Sequence, residues 1–194
     1  IAIFNSNDIY PVSADSTLPF AQHRDIFYLS GVDQEESILV LFPDAPYEHQ
    51  REILFLRETN EHIAVWEGEK LTKERAFEVS GIKTVYWLQD FKKVLYELMT
   101  YADTMYINTN EHYRASVETE TREARFIKWW KETYPAHKVE KSNPILQRIR
   151  SVKESEELDL IQQACNITEK GFRRILSFVK PGVMEYEVEA EFAH

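Results

Sequence analysis

Ser37-Ile38-Leu39-Val40-Leu41-Phe42 and, shortly after it, Glu52-Ile53-Leu54-Phe55-Leu56 carry an apolar residue at nearly every position. A strand wetted on one face alternates apolar and polar side chains. A strand that does not alternate is covered on both faces. Both runs have strand length, so they predict strands inside a layered structure. Working outward, Ile1–Phe4, Ile26–Leu29, Lys83–Trp87 and Met105–Asn108 read as further strands.

Helical patterns alternate with these runs. Thr72 is placed to cap a helix over Lys73–Ser80 that Gly81 terminates. Asp90 is placed to cap Phe91–Tyr101, with Phe91, Val94, Leu95, Leu98 and Met99 on one face. A third helix is predicted over Ser116–Tyr134, ending before Pro135, with a weaker stripe of Val117, Ala124, Ile127 and Trp129 or Trp130. Adjacent residues on a helix point ~100° apart, so Trp129 and Trp130 do not readily share one core. Strands interleaved with helices predict an α/β class with helices packed on a central sheet.

The pattern changes near residue 140. Lys138 to Pro144 is polar and holds the turn signal Ser142-Asn143-Pro144. Beyond it, Leu158, Ile161, Ala164, Cys165, Thr168, Phe172, Ile175, Leu176 and Val179 recur at helical spacing. Ser151 with Glu154, or Ser155, would cap this long helix. Acidic residues lie early and Lys170, Arg173, Arg174 and Lys180 late, an order that suits the helix dipole. Pro181-Gly182 ends it, and a further helix runs from Met184 to His194. A chain that stops inside an amphipathic pattern, and begins without Met, is expected to be part of a longer one.

Composition excludes several functions. Hydrophobic residues make up 43% and charged residues 29%, which fits a soluble globular protein rather than disorder. No apolar run approaches the ~20 residues of a membrane span, and no signal peptide is visible. A net charge of −10 repels phosphate backbones and anionic membranes, so neither nucleic acid nor membrane is an expected partner. A lone cysteine, Cys165, fits a reducing, cytoplasmic compartment and is expected in the core.

Motifs for chemistry are scarce. His-Glu-x-x-His, Cys-x-x-Cys, calcium loops, Gly-x-Ser-x-Gly and phosphate-cradling loops are all absent. Glu187, Glu191 and His194 share a helical face, but a di-metal bundle needs further inward carboxylates. A solvated acidic face is the expectation there. His23, His49, His62, His112 and His137 are scattered, with no ligand pair among them. Gly171 weakens the long helix by about 1 kcal/mol relative to Ala, which a closely packed neighbour would explain. Trp66 lies in a polar stretch read as a loop, where an exposed aromatic is a candidate ligand or partner contact.

Five ordered segments resemble the aminopeptidase P family, which is related to prolidase and creatinase. They are Phe20-Ala21-Gln22-His23-Arg24-Asp25-Ile26-Phe27-Tyr28-Leu29-Ser30-Gly31; Glu35-Glu36-Ser37-Ile38-Leu39-Val40-Leu41; Val65-Trp66-Glu67-Gly68-Glu69-Lys70-Leu71; Arg150-Ser151-Val152-Lys153-Glu154-Ser155-Glu156-Glu157-Leu158; and Lys180-Pro181-Gly182-Val183-Met184-Glu185-Tyr186-Glu187-Val188-Glu189-Ala190-Glu191. The departures from the family pattern are Ala21 for Arg, His23 for Asn and Ser155 for Pro.

The resemblance implies a creatinase-type N-terminal domain over residues 1–143, a mixed sheet flanked by helices and similar to ribonuclease H in topology. Residues 144–194 would be a linker and the first helices of a pita-bread catalytic domain. It implies a parent enzyme that removes the N-terminal residue preceding proline, with two manganese ions that activate a bridging water. The family's ligands align downstream of His194, so residues 1–194 are expected to hold no metal or catalytic residue and to be inactive alone. It also implies proline-containing peptides as substrates, a homodimer or homotetramer, and Trp66 close to substrate in a neighbouring subunit. The alternatives are a non-catalytic binding or assembly module, or the N-terminal domain of a prolidase or creatinase relative.

Overall fold

A computed structural model describes the whole chain except residues 110, 111, 113 and 115–117. It divides into two compact units, Ile1–Leu146 and Gln147–His194.

The first unit is built on a six-stranded sheet. In chain order its strands are β1 (Ala2–Asn5), β4 (Ile38–Leu41), β5 (Glu52–Leu56), β6 (Thr84–Trp87), β7 (Thr104–Ile107) and β8 (Lys138–Lys141), while β2 (Pro11–Ser13) and β3 (Ser16–Thr17) form a separate small pair. The spatial order is β6-β5-β4-β1-β7-β8. β1 runs antiparallel to β4 but parallel to β7, and β5 runs antiparallel to β4 but parallel to β6. The sheet is therefore mixed, as the resemblance implies.

The unbroken apolar runs serve two cores. Ile3, Val40, Ile53 and Phe55 point into one, with Phe91, Leu95, Leu98, Phe126 and Trp130 from α4 (Phe91–Met99) and α5 (Arg122–Thr133). Their neighbours Phe4, Leu39, Leu54 and Leu56 point into the other, with Ile26 of α1 (Arg24–Ser30), Ala76 of α3 (Lys73–Ser80) and Leu146 of α6 (Asn143–Ser151). Successive side chains of a strand leave on opposite faces, so every residue of a two-sided strand must be apolar. That is why helices cover both faces.

Several elements differ from the sequence reading. Ile26–Leu29 is helical, not a strand. His23 Nδ1 accepts the Asp25 N–H at 3.3 Å, and Gly31, at φ 69°, takes the left-handed C-terminal position. Ser30 Oγ donates to the Ile26 carbonyl at 2.7 Å and accepts from Val32 N–H at 3.2 Å. These local bonds override the β preference of Ile-Phe-Tyr-Leu.

Thr72 and Gly81 do cap α3, with Thr72 Oγ1 accepting the Arg75 N–H at 3.2 Å. Asp90 precedes α4 without a side-chain cap, because a 3₁₀ turn over Leu88–Asp90 leads into the helix. Ser116 and Val117, where the third helix is expected to begin, lie outside the described residues; α5 itself starts at Arg122 behind a Thr121 cap. Ala124 is exposed, and Phe126 and Trp130 are the buried positions of α5. Trp130 is 1% exposed while Trp129 packs half-buried against the same core, so both indoles use one core at different depths.

The polar stretch after Lys138 is a strand, β8, followed by α6. It hid because β8 is an edge strand of sequence Lys-Val-Glu-Lys.

In the second unit, α7 (Ser155–Phe178) is capped by Glu154, not by Ser151 or Ser155. The Glu157 carboxylate accepts the Glu154 N–H at 2.9 Å. Ser155 thereby takes the first helical position, where the family's proline would also fit. No basic residue reaches the last turn of α7. Arg173 instead pairs with Glu169 at 2.7 Å and Arg174 with Glu191 of α8 (Glu185–Ala193) at 2.5 Å. Cys165 is exposed, not in a core. Gly171 does have a close neighbour, since a Cβ there would stand 2.9 Å from the Phe192 ring of α8.

Gly31→Ala is expected to lower stability by about 1–2 kcal/mol, the cost of a left-handed L-residue, with Gly31→Asn costing less. Urea denaturation midpoints of the two variants check this. Equal midpoints for Gly31→Ala and the parent would contradict the helical ending of α1.

Candidate functional site

Three of the quoted segments meet beside the sheet. The Gln22 side chain is 8% exposed. Its Nε2 donates to the carbonyls of Val32 at 3.1 Å and Gln34 at 2.9 Å, and to Ser37 Oγ at 3.3 Å. Its Oε1 accepts the His23 N–H at 2.8 Å. Gln34 Oε1 in turn accepts the Leu71 N–H at 2.7 Å. A buried amide with its partners supplied fixes its surroundings, because leaving any of these groups bare costs about 1–3 kcal/mol.

This frame carries Trp66. The residue lies on a short helix, α2 (Glu61–Glu67), not on a loop. Asn60 Oδ1 accepts the Ile63 N–H at 3.0 Å and Gly68 ends the helix. Beyond the helix, Lys70 pairs with Glu35, both largely buried. At its last residue, Glu67 pairs with Arg57 at 2.7 Å, and Arg57 also reaches Glu36 at 3.3 Å. Glu36 holds a left-handed backbone at φ 53°, in the turn before β4. Trp66 is 78% exposed and Val65 beside it 77%. The arrangement offers a fixed apolar contact and no nucleophile.

A second polar group sits at the carboxyl ends of β1 and β7, which sequence reasoning missed. Asn5 Nδ2 donates to Glu123 Oε2 at 2.9 Å. Asn108 Nδ2 donates to Asp25 Oδ2 at 2.9 Å, and Ser142 Oγ donates to the Ile107 carbonyl at 3.0 Å. Glu123 is largely buried, and desolvation raises its pKa from 4.5 to about 7 despite the bonds from Asn5. Next to it, the Arg122 N–H donates to Asp8 Oδ2 at 2.9 Å, and Arg125 pairs with Asp8 at 2.6 Å. Glu123 lies 118 residues from Asn5, so no local signal could have joined them.

The remaining candidates are not brought together. Glu187 caps α8 by accepting the Met184 N–H at 2.8 Å, and Glu191 is held by Arg174. His194 follows the helix, exposed. His137 Nε2 meets the Met99 carbonyl at 3.0 Å, His49 stacks on Tyr47 at 5.8 Å, and His112 Nδ1 accepts the Arg114 N–H at 3.2 Å. Among the described residues, no three His, Cys, Asp or Glu side chains are grouped to hold a metal ion. They do not fit the metal centre that the resemblance implies, and no hydrolytic step is assigned to them. Also among the described residues, no helix is long and apolar enough to cross a membrane.

Residues 1–107 match the family model for the aminopeptidase P N-terminal domain. The Xaa-Pro aminopeptidase of Escherichia coli K12 is 28% identical over 94% of this chain and 41% of its own length. The chain thus spans about two fifths of that relative. A solved Bacillus anthracis structure assigned to aminopeptidase P superposes with a TM-score of 0.84 at 27% identity, over 99% of this chain and 45% of its own. A zinc-substituted E. coli aminopeptidase P in complex with product superposes at 0.77 with 25% identity, over 100% of this chain and 44% of its own.

The raised Glu123 pKa has a definite sign for stability. Between pH 4.5 and about 7 the folded state keeps a proton that the unfolded chain releases. The contribution of protonated Glu123 is fully present below pH 4.5 and is lost as pH rises through about 7. Glu123→Gln, which cannot ionise, should therefore gain stability relative to the parent between pH 5 and pH 8, by at most roughly 3 kcal/mol. Urea unfolding at the two pH values measures it. Parent and variant curves that move in parallel would contradict a desolvated carboxyl.

Proposed function

The chain belongs to the aminopeptidase P family through its N-terminal domain, and from that membership we propose that it is the N-terminal part of a metal-dependent Xaa-Pro aminopeptidase. Such an enzyme releases the N-terminal residue that precedes proline. The observation that carries this reading is the alignment of 94% of the chain with an Xaa-Pro aminopeptidase. In this reading residues 1–143 form the N-terminal domain, and residues 144–194 lead into the catalytic domain. The two manganese ions belong to the parent enzyme's catalytic domain, and residues 1–194 alone are inactive. The whole protein works in the cytoplasm as a homodimer or homotetramer on proline-containing peptides.

The part assigned to this chain is substrate access. A tertiary X-Pro amide is a poor substrate for most peptidases, so the enzyme needs a shaped apolar enclosure around it. Trp66 is suited to form one wall of that enclosure in a neighbouring subunit. Its indole is exposed, it stands on a helix capped by Asn60 at its start and held by the Glu67–Arg57 and Lys70–Glu35 pairs at and beyond its end, and an aromatic wall contributes contact area with little conformational freedom to lose.

In the full-length enzyme, Trp66→Ala should lower kcat/KM for X-Pro-Y tripeptides and longer peptides by about tenfold, equivalent to 1.4 kcal/mol, and for X-Pro dipeptides by less. Steady-state assays on both substrate lengths, with light scattering for assembly, test it. Unchanged kinetics together with unchanged assembly size would remove Trp66 from the substrate path. Cleavage of dipeptides alone would place the parent with prolidase instead.

A further inference from the structure

Between α4 and α5 lies a groove of about 450 Å³, a volume suited to a small ligand. Its floor and one wall are aromatic. Phe91 and Phe126 stand 6.1 Å apart, and Phe126 and Trp129 stand 5.7 Å apart, centroid to centroid. Three cations reach it, Lys92, Arg122 and Arg125, and among the described residues no carboxylate lines it. That is an unusual local balance in a chain of net charge −10.

The three cations differ in what they already hold. Arg125 is committed to Asp8 and to the Glu120 carbonyl, at 2.6 and 2.7 Å. Lys92 sits over the Trp129 ring at 5.4 Å, a contact that leaves its ammonium protons free to donate. Among the described residues Arg122 makes one hydrogen bond, from its backbone N–H to Asp8, and it also borders the recess lined by Asp8, Glu35 and Glu36. Burial lowers its pKa, and the attraction of Glu36, Asp8 and Glu123 does not offset this. Its guanidinium is thus partly desolvated and has no ion-pair partner among the described residues. A planar fork of donors beside an aromatic wall matches a carboxylate joined to an apolar body.

We infer that this groove binds a small apolar carboxylate about the size of one aromatic residue, with its acid on the Arg122 guanidinium and the Lys92 ammonium and its body against Phe91, Phe126 and Trp129. The guanidinium gains the paired anion it lacks, and the ring wall exchanges water for an apolar surface. This inference is independent of the role given to Trp66.

The test is calorimetric titration of the full-length protein with N-acetyl-L-phenylalanine and with N-acetyl-L-phenylalaninamide, which keeps the shape but lacks the charge. The acid should bind at least about tenfold tighter than the amide. Arg122→Met should abolish that preference, and Lys92→Met, at an exposed position, should reduce it. Circular dichroism reports folding, and if Arg122→Met does not fold, Lys92→Met decides alone. No measurable binding of the acid, equal affinity for acid and amide, or a preference unchanged in the folded variants would each overturn the assignment.

Discussion

A side-chain amide that has left water must find its partners in the protein, and Gln22 does so by drawing the chain around it. Its bonds run to the carbonyls after α1, to the turn before β4 and to its own neighbour His23. Through Gln34 the same set reaches Leu71, beyond the helix that carries Trp66. The turn, the first helix and the Trp66 segment therefore share one hydrogen-bonded junction. Loosening any one of them strips partners from the others, which is how a polar network of this kind specifies a single arrangement.

Charge reinforces that junction. Glu35 and Glu36 are adjacent but serve different cations, Lys70 and Arg57, and the second reaches on to Glu67. The Glu35–Lys70 pair is the more buried, so it is the one whose disruption would strand a charge. The pairs at Arg57 are partly exposed and contribute mainly geometry. On the other side of β1, charge is organised differently. There burial raises the Glu123 pKa to about 7, and among the described residues Arg122 makes no ion pair, which leaves a cationic groove on an acidic molecule.

The central strands were legible because unbroken apolar runs admit only two-sided burial, and β4 and β5 bury both faces. The caps of α3 were legible because Thr72 and Gly81 act within their own turn. Readings failed where a short element was decided by bonds that propensity does not report. Ile26–Leu29 became a helix through His23, Ser30 and Gly31, and Trp66 moved from loop to helix through Asn60. β8 was hidden by its charged residues. Of the candidate site, the residues quoted for the family resemblance include those that touch: Gln22, Glu35, Lys70 and Leu71. The Asn5–Glu123 contact joins distant stretches and left no trace in local pattern.

β8 closes one side of the sheet with Lys138, Val139, Glu140 and Lys141, and Lys138 pairs with Glu140 at 2.6 Å. Its outer backbone donors and acceptors would otherwise be an open template for a foreign strand. Flanking lysines make such docking electrostatically awkward for a second identical edge, since like charges would face each other across the new ladder. Copies of this chain are thereby steered away from continuous β-stacking and toward contacts made by side-chain surfaces, a safeguard against fibrous aggregation written into four residues.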